Sequence, residues 1–475
     1  MTTNPELCRT CRNLLIRPDE DLEHCTTVEY EANSIRTAAA RACPMCILFW
    51  EYIQSVGTLR SQEDYFLTNI FVHLLCYPKT DASGRFLDPP ADVDYTMSHI
   101  ALGLRFDDMP DDHCFEIELH RPTMVGAQSA ILIRNESSPI NTLLPPRSTS
   151  AQCRIGTIQE WIQNCVHNHS LCADFMKHNT NAGSSPNRLV YINRLDDIRL
   201  ANREEFDKKS TKYATLSHRW SKDATFKLSQ GNLKQMRTKI HVEVLPSVFH
   251  DAVCLCHQLS VPCLWIDAFC IVQDDETDVE QEITKMGDMY SGALCNFGAI
   301  AAADKQVALF YESNNHLSRA FPVVLERQGH RIARYGYSQR LIEDLRESTL
   351  MKRGWVLQER VLSPRSVYFG AQLVWECHQS LASELFPQRR PAEQNRGAGD
   401  WPLRLASLLH DFGGEWMDDV HESWNRLVEI YSGCALSYED DQFPAISGLA
   451  RRFDQTLHDE YLAGIWKGDL HQSLL

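Results

Sequence analysis

The sequence lacks any stretch rich in lysine and arginine, and its 475 residues have a formal net charge of −16. Binding to duplex nucleic acid or to an anionic membrane surface requires a basic face that attracts phosphate groups. We therefore expect neither duplex nucleic acid nor a membrane surface as a partner. The sequence also lacks a run of about 18 apolar residues, so no membrane-spanning helix is expected.

The N-terminal segment MTTNPELCRTCRN lacks the apolar core of a secretory signal peptide, so we expect a cytoplasmic protein. In a reducing compartment the 17 cysteines would be buried thiols, metal ligands or reactive groups rather than disulfides. No internal repeat or low-complexity segment is present. The length predicts two or three domains.

Residues 1–150 are predicted to form an N-terminal domain with a Cys-rich helix and a small antiparallel β region. The segment NSIRTAAARACPMCILFWEYI has helical periodicity. Four short segments between residues 65 and 135 have strand character, namely YFLTNIFVHLLCY, HIALGLRF, CFEIELH and AILIRN. The composition of NESSPINTLLPPRSTSAQ predicts a linker after them.

Residues 151–385 are predicted to form an α/β domain, because short buried strands alternate with helices. The segments NRLVYINRL, YATLSHRW, CLWID, CNFGAIAAA and LVWEC predict strands. The segments TIQEWIQNCVHNHSLC, LPSVFHDAVCLCHQL and VEQEITKMGDMYSGA predict helices. This alternation is typical of a mostly parallel sheet with flanking helices. Residues 395–475 predict a helical C-terminal region.

Three blocks within residues 213–377 establish a family resemblance. They are YATLSHRW, VPCLWIDAFCIVQDDETDVEQEITKMGDMYSGA and RGWVLQERVLSPR, in this order. Together they resemble the heterokaryon-incompatibility (HET) domain of filamentous fungi, which implies a role in self/non-self recognition and programmed cell death. Two positions depart from the family pattern, Ser221 after Trp220 and Ala268 after Asp267. The chain stops at SLL, where related sequences tend to continue, so we expect a truncated C-terminus.

HET domains in turn resemble TIR domains, which have a flavodoxin-like parallel sheet. Several TIR domains hydrolyse NAD, using a catalytic glutamate in a Trp-x-x-x-Glu segment. Trp355 and Glu359 in GWVLQE have this spacing and follow strands in the matching order. The resemblance implies a TIR-like fold, NAD as substrate without a catalytic cofactor, and self-association.

Hydrolysis of the N-glycosidic bond of NAD needs a carboxylate beside the ribose and an apolar wall for the nicotinamide. Residues four apart share a helical face, so Trp355 could stack while Glu359 faces the sugar. Ser217, His218 and Asp267 follow strands and would lie at the edge of the sheet where ligands bind. The predicted catalytic residues are Glu359, Trp355 and Asp267. The predicted substrate-binding residues are Ser217, His218, Trp220, Cys270 and Arg353.

Each of these residues also has a structural interpretation. Trp355 fits a core anchor, Glu359 an ion pair with Arg353 or Arg365, and Asp267 a cap for the next turn. Two other functions therefore stay open. One is a non-enzymatic, self-associating signalling module. The other is a secondary-metabolite enzyme, an acid/base cyclase or isomerase, on the same scaffold. A Ser–His–Asp hydrolase is disfavoured because no G-x-S-x-G elbow is present.

Two groups of cysteines have the spacing of metal ligands. The pairs Cys8/Cys11 and Cys43/Cys46 predict a structural zinc site. The residues Cys165, His169 and Cys172 are a weaker candidate without an obvious fourth ligand. Buried free thiols are the alternative for both groups.

Overall fold

The computed structural model describes residues 8–11, 26–30, 32–41, 43, 45–47, 49–50, 70–76, 100–106, 117–120, 151–178, 186–207, 211–220, 226–300, 308–310, 321–327, 330–338, 345, 348–384, 409 and 417–473. The chain forms two compact units. The first contains Met1–Ser148, Ser313–Glu343 and Leu385–Gln388, and the second contains Thr149–Glu312, Asp344–Glu384 and Arg389–Leu475. The three predicted domains, 1–150, 151–385 and 395–475, remain a prediction.

The described strands are β1 (Thr26–Tyr30), β2 (Ile70–Cys76), β3 (Ile100–Phe106), β4 (Ile117–His120), β5 (Arg188–Arg194), β6 (Asp197–Asn202), β7 (Tyr213–Ser217), β8 (Cys263–Trp265), β9 (Cys295–Gly298), β10 (Phe321–Arg327), β11 (His330–Ser338), β12 (Arg365–Phe369), β13 (Leu373–Cys377), β14 (Leu381–Ser383), β15 (Tyr461–Leu462) and β16 (Ile465–Trp466). The described α-helices are α1 (Ala32–Ala40), α2 (Ala151–Asn168), α3 (Ser170–His178), α4 (Leu233–Thr238), α5 (Ser247–Gln258), α6 (Asp267–Cys270), α7 (Glu276–Ile283), α8 (Met286–Ser291), α9 (Gly354–Leu362), α10 (Met417–Ser432), α11 (Pro444–Leu457) and α12 (Leu470–Ser473).

The first unit contains two antiparallel sheets among its described residues, with the strand orders β1-β2-β3 and β10-β11-β4. The predicted antiparallel region is confirmed for β2 and β3. Strand β4, from CFEIELH, instead pairs with β11, where Tyr335 lies opposite His120. The predicted strand AILIRN lies outside the described residues, as does the predicted linker except for its last two residues, which begin α2.

The predicted long helix near the N-terminus is interrupted. Helix α1 ends at Ala40, and the backbone N–H of Cys43 donates to Ala38 O at 3.0 Å. A new helical turn starts where Ile47 N donates to Cys43 O at 3.0 Å. Pro44 in the sequence explains the interruption, because proline has no N–H to continue a helix.

The second unit is built on an eight-stranded sheet with the order β14-β13-β12-β9-β7-β8-β5-β6. The neighbours β12, β9, β7 and β8 are parallel, and the strands at both edges are antiparallel. The α/β class is therefore confirmed. The edges are antiparallel because short turns connect β5 to β6 and β12 to β13, whereas parallel neighbours need long crossovers.

Along the chain the parallel strands come in the order β7, β8, β9 and β12. In the sheet they lie side by side in the order β8, β7, β9 and β12, so the first two strands have exchanged places. The crossovers contain α5 before β8, helices α6 to α8 before β9, and α9 before β12. From β7 the chain therefore crosses to β8 on one side of β7 and then to β9 on its other side. Such a reversal opens a crevice at the carboxyl ends of the two strands that flank it, here β7 and β9.

The core of the second unit lies around this sheet. All residues of β7, β9, β12 and β13 are buried, as expected where helices cover both faces. A second apolar cluster contains residues of α9, α10 and α11, with Trp424 packed edge-to-face on Phe453 and on Trp466 of β16. The described residues 417–473 of the predicted helical C-terminal region are mainly helical, with a short hairpin, β15–β16, added to them.

Two predicted helices are each divided into two. The helix at residues 279–293 is α7 and α8, because Lys285 N donates to Glu282 O, three residues back, and ends the first helix with a tighter turn. The segment TIQEWIQNCVHNHSLC breaks at His169, and Leu171 N then donates to the Gln379 side chain at 3.2 Å. Among the described helices, none is both long and apolar enough to cross a membrane.

Candidate functional site

Polar side chains from four elements of the second unit meet at the carboxyl ends of β7 and β9. Ser217 is the last residue of β7, Asn296 lies on β9, Tyr290 on α8 and Glu359 on α9. Thr215 pairs with Asn296 across the two parallel strands. Thr215 and Ser217 are two residues apart and therefore share one face of the sheet. The site thus lies where the direction of the sheet reverses.

A chain of hydrogen bonds leads to the carboxyl group of Glu359. The Thr215 hydroxyl donates to Asn296 Oδ1 at 3.0 Å, and Asn296 Nδ2 donates to Ser217 Oγ at 2.9 Å. The Ser217 hydroxyl then donates to Glu359 Oε2. Ser217 Oγ also lies 3.1 Å from Asn296 Oδ1, but its single proton favours the carboxylate, the stronger acceptor. The network therefore fixes the orientation of both Asn296 and Ser217.

Glu359 is only 7% exposed. Burial raises its pKa to about 7, although the Ser217 hydrogen bond and the charge of Arg353 act to lower it. The hydroxyl of Tyr290 interacts with Ser217 and Glu359, and burial raises the pKa of Tyr290 well above its usual value. Glu359 can therefore gain or lose a proton near neutral pH, while Tyr290 stays neutral.

A second polar group lies at the same edge of the sheet. Trp220 Nε1 donates to Asp267 Oδ2 at 2.7 Å, and His218 Nδ1 lies 3.6 Å from Asp267 Oδ1. The His218 ring packs edge-on against Phe249, at 4.9 Å between ring centroids. Burial lowers the pKa of His218 despite the nearby carboxylate. The structure therefore places a neutral imidazole and an indole around Asp267.

Arg353 connects the two groups. It precedes α9, its Nη1 donates to His218 O at 2.7 Å, and its charge lowers the pKa of Glu359. The Asp267 side chain is 27% exposed, whereas Ser217 and Glu359 are buried. The site thus has a buried floor of Ser217, Asn296, Tyr290 and Glu359. Its more exposed rim consists of Trp220, Asp267 and Arg353, whereas the His218 side chain beside Asp267 is only 8% exposed.

Two predicted site residues are not brought into this arrangement. Trp355 packs between two apolar clusters, and its Nε1 donates to Asp441 Oδ2 at 3.0 Å. Cys270 is fully buried in the core, and burial raises the pKa of its thiol to about 12. The carbonyl of Cys270 accepts a hydrogen bond from Arg188 Nε at 2.8 Å. Neither residue joins the hydrogen-bond network of Glu359.

Sequence reasoning missed several residues of the site. Thr215 and Asn296 lie within YATLSHRW and CNFGAIAAA, which the sequence predicts only as strands, and Tyr290 lies within a predicted helix. The available signal was a polar residue in an otherwise apolar strand, as in CNFG, and a threonine two positions before Ser217. An amide inside a buried strand must find partners, so it marks a hydrogen-bond network.

An ion pair beneath the site holds α9 in place. Arg360 makes a bidentate contact with Glu376 on β13, at 2.7 and 3.1 Å, and the Tyr368 hydroxyl donates to Glu376 at 3.1 Å. Arg365, a suggested partner of Glu359, instead donates to Leu294 O and to Cys165 Sγ. Arg360, the residue after Glu359, therefore forms the strong ion pair of α9, and Glu359 does not take part in it.

Both groups of metal-ligand type are assembled in the structure. The side-chain ligand atoms of Cys8, Cys11, Cys43 and Cys46 in the first unit all lie within 4.8 Å of one another. The same is true of Cys165, His169, Cys172 and Cys377 in the second unit. All of these cysteines are free thiols. Each group can therefore bind a metal ion.

The fold and this site define an α/β domain with a polar crevice at the reversal point of a parallel sheet. Residues 213–359 match the family model described as heterokaryon incompatibility protein (HET). The matched segment starts with β7 and ends at Glu359. The chain therefore contains a heterokaryon incompatibility domain over these residues. No curated protein and no solved structure matches it.

Proposed function

We propose that this protein acts in fungal self/non-self recognition and cell death by hydrolysing NAD at a TIR-like site centred on Glu359. The observation that supports this most is a carboxyl group with a pKa of about 7 at the reversal point of the sheet. The parallel strands lie in the sheet in the order β8-β7-β9-β12, so the second strand along the chain lies outside the first. Flavodoxin-like sheets have the same order. This order agrees with the TIR resemblance in the sequence.

In the proposed reaction the bond between the ribose and nicotinamide breaks, and water adds to the ribose. The products are nicotinamide, ADP-ribose and a proton. Ionised Glu359 stabilises the positive charge that develops on the ribose. Ser217, held by Asn296, orients this carboxylate, and Arg353 favours its ionised form. Asp267 on the rim accepts hydrogen bonds from ribose hydroxyls, and the adjacent Trp220 supplies an apolar wall.

The test is nicotinamide release from NAD by the full chain, compared with Glu359→Gln at equal concentration. Glutamine keeps the shape of the side chain but not its charge, so we expect release to fall by about 10²–10⁴-fold. Glu204→Gln, an exposed glutamate in the same unit, is the matched control and should retain full release. Equal release from Glu359→Gln, or none from the wild type even at concentrations that give oligomers, would overturn the proposal.

A non-enzymatic, self-associating module is the second candidate. The favouring observation is that the Glu359 carboxyl is nearly inaccessible and that the Trp355 indole is already bonded to Asp441. Tyr438 and Phe443, on either side of Asp441, are 73% and 49% exposed and offer a contact surface. Sedimentation of the wild type and of Tyr438→Ser/Phe443→Ser would test this. Association that the double variant abolishes, together with cell death unchanged by Glu359→Gln, would favour this candidate.

We also propose zinc as the metal of the Cys8/Cys11/Cys43/Cys46 group. The sulfur atoms of Cys11 and Cys46 lie 3.4 Å apart, and those of Cys8 and Cys46 lie 3.7 Å apart. A tetrahedral site with zinc–sulfur bonds of about 2.3 Å has sulfur atoms about 3.8 Å apart. Four thiol ligands without an open position are typical of a structural zinc.

A further inference from the structure

We propose that Cys165, His169, Cys172 and Cys377 form a second, closed zinc site, which fastens α2 and α3 to the end of strand β13 in the eight-stranded sheet. The sequence spacing supplies three of these ligands. The fourth, Cys377, is the last residue of β13 and reaches the other three only through the fold. This proposal is independent of NAD hydrolysis.

The geometry fits a tetrahedral metal ion. The sulfur atoms of Cys165, Cys172 and Cys377 each interact with the other two, and His169 Nδ1 lies 3.3 Å from Cys377 Sγ. Zinc–sulfur bonds of about 2.3 Å and a zinc–nitrogen bond of about 2.0 Å place neighbouring ligand atoms about 3.5–3.8 Å apart. The group needs only small adjustments to reach these values.

The surroundings supply hydrogen-bond donors to the sulfur atoms. Arg365, which is 4% exposed, donates from Nε to Cys165 Sγ at 3.2 Å. The backbone N–H of Gln379 interacts with the sulfur atoms of Cys172 and Cys377. Three thiolates and one zinc ion have a net charge of −1, which the Arg365 guanidinium balances. Donors aimed at sulfur orient and stabilise metal-bound thiolates.

The orientation of the His169 ring suits a metal ligand. Its Nδ1 is directed at the sulfur cluster, 3.3 Å from Cys377 Sγ, while Nε2 lies on the other side of the ring, 3.4 Å from Asn164 Nδ2. A metal ion bound at Nδ1 leaves the ring proton on Nε2, as a neutral histidine ligand requires. Three buried thiols packed only as small apolar groups would need neither an imidazole nitrogen nor a buried guanidinium beside them.

The position of the site indicates a structural role. It joins the end of α2, the start of α3 and the end of β13, and other contacts run along the same junction. Arg154 of α2 pairs with Glu384 at 2.9 and 3.1 Å, and Trp161 packs on Trp375 with centroids 5.9 Å apart. Four protein ligands leave no open position for a substrate. The metal therefore stabilises the packing of α2 and α3 against the end of β13.

The first experiment measures zinc bound per chain by mass spectrometry of the full-length protein. With both proposed sites filled, we expect two zinc ions in the wild type and one in Cys377→Ser. Cys153→Ser, an exposed cysteine on α2 outside the group, is the matched control and should keep two. A folded Cys377→Ser that holds as much zinc as the wild type would overturn the proposal. Wild-type protein that binds no more metal than the N-terminal group can hold would also overturn it.

Cobalt substitution decides the matter if Cys377→Ser does not fold. Cobalt(II) reports its ligand set by its visible absorption. The double variant Cys8→Ser/Cys11→Ser, which lacks the N-terminal site, should give the spectrum of a tetrahedral site with three thiolates and one nitrogen. Adding His169→Cys should keep the metal and change the spectrum to that of four thiolates. Absence of a tetrahedral cobalt spectrum, or a spectrum that His169→Cys leaves unchanged, would contradict the proposed ligands.

Discussion

Glu359 has an environment that differs from that of most buried carboxyl groups. Buried carboxylates are usually paired directly with a cation, but the Glu359 side chain is bonded to the Ser217 hydroxyl and interacts with that of Tyr290. Arg353 acts on it through its charge, while its own guanidinium bonds to His218 O. The pKa of Glu359 therefore depends on a few neutral donors that single substitutions can remove.

Ser217→Ala tests this dependence. The Ser217 hydrogen bond lowers the pKa of Glu359, so its removal should raise that pKa above about 7. If ionised Glu359 supports hydrolysis, the midpoint of the rise in nicotinamide release with pH should move to higher pH. Ser291→Ala is a suitable control, because the Ser291 hydroxyl bonds only within its own helix, to Asp288 O at 3.2 Å. An unchanged midpoint in Ser217→Ala would contradict this account of the site.

At the scale of elements, α9 is the part whose placement matters most. Contacts on two sides position it. Arg360 pairs with Glu376 of β13, and α9 packs against α8 and α11. Helices α8 and α11 approach closely at two glycines, since a Cβ on Gly287 would lie only 2.9 Å from Gly448 Cα. These constraints leave Glu359 little freedom to move away from Ser217.

Glu376→Gln should destabilise the protein strongly. Arg360 is 4% exposed, and the substitution leaves its charge buried without a carboxylate. Breaking such a pair typically lowers the free energy of unfolding by about 3–5 kcal/mol. Chemical denaturation measures the effect, and the double variant Arg360→Met/Glu376→Leu should recover most of it. A loss below about 1 kcal/mol in Glu376→Gln would show that the pair contributes little to the position of α9.

At the scale of the whole molecule, the buried acid should make stability depend on pH. Its pKa is 4.5 in the unfolded reference and about 7 in the folded protein. Between these values the folded state binds the proton more tightly, so stability falls as pH rises. The contribution is fully present below pH 4.5 and lost above about pH 7. One pKa unit corresponds to about 1.4 kcal/mol, so the loss is about 3 kcal/mol.

The measurement compares unfolding free energies of the wild type and Glu359→Gln across this pH range. Their difference should shift by about 3 kcal/mol in favour of the glutamine variant as pH rises. The comparison also removes contributions common to both proteins. One of these is His218, whose lowered pKa has the opposite sign, because protonation of the unfolded histidine favours unfolding at low pH. Parallel pH profiles for the two proteins would contradict a raised pKa for Glu359.

The two units also show how far chain order can differ from spatial grouping. Residues 313–343 belong to the first unit, although they lie between the matched strands and α9 in sequence. Strands β10 and β11 in this segment pair with each other, and β11 pairs with β4. Nothing in the local pattern of CFEIELH indicates a partner so far along the chain. Long-range pairing of this kind is decided by packing rather than by turn sequences.

Local sequence patterns predict the elements that depend on neighbours a few residues apart. Alternation and helical periodicity located β7, β8, β9 and α5, and the three blocks established the HET resemblance. The same local information placed Ser217 at the end of a strand and Glu359 on a helix. Local information did not predict the break between α7 and α8, where one hydrogen bond, from Lys285 N to Glu282 O, ends the first helix.

Which side chains meet depends instead on how the chain packs in three dimensions. Glu359 lies beside Ser217, Arg360 beside Glu376, and Cys377 beside Cys165 because the crossovers and hairpins bring distant segments of the chain together. Burial then changes their chemistry, since removing water raises the pKa of Glu359 and makes each buried polar group depend on a specific partner. A partner chosen by burial and sheet topology leaves no signal in the spacing of residues along the chain.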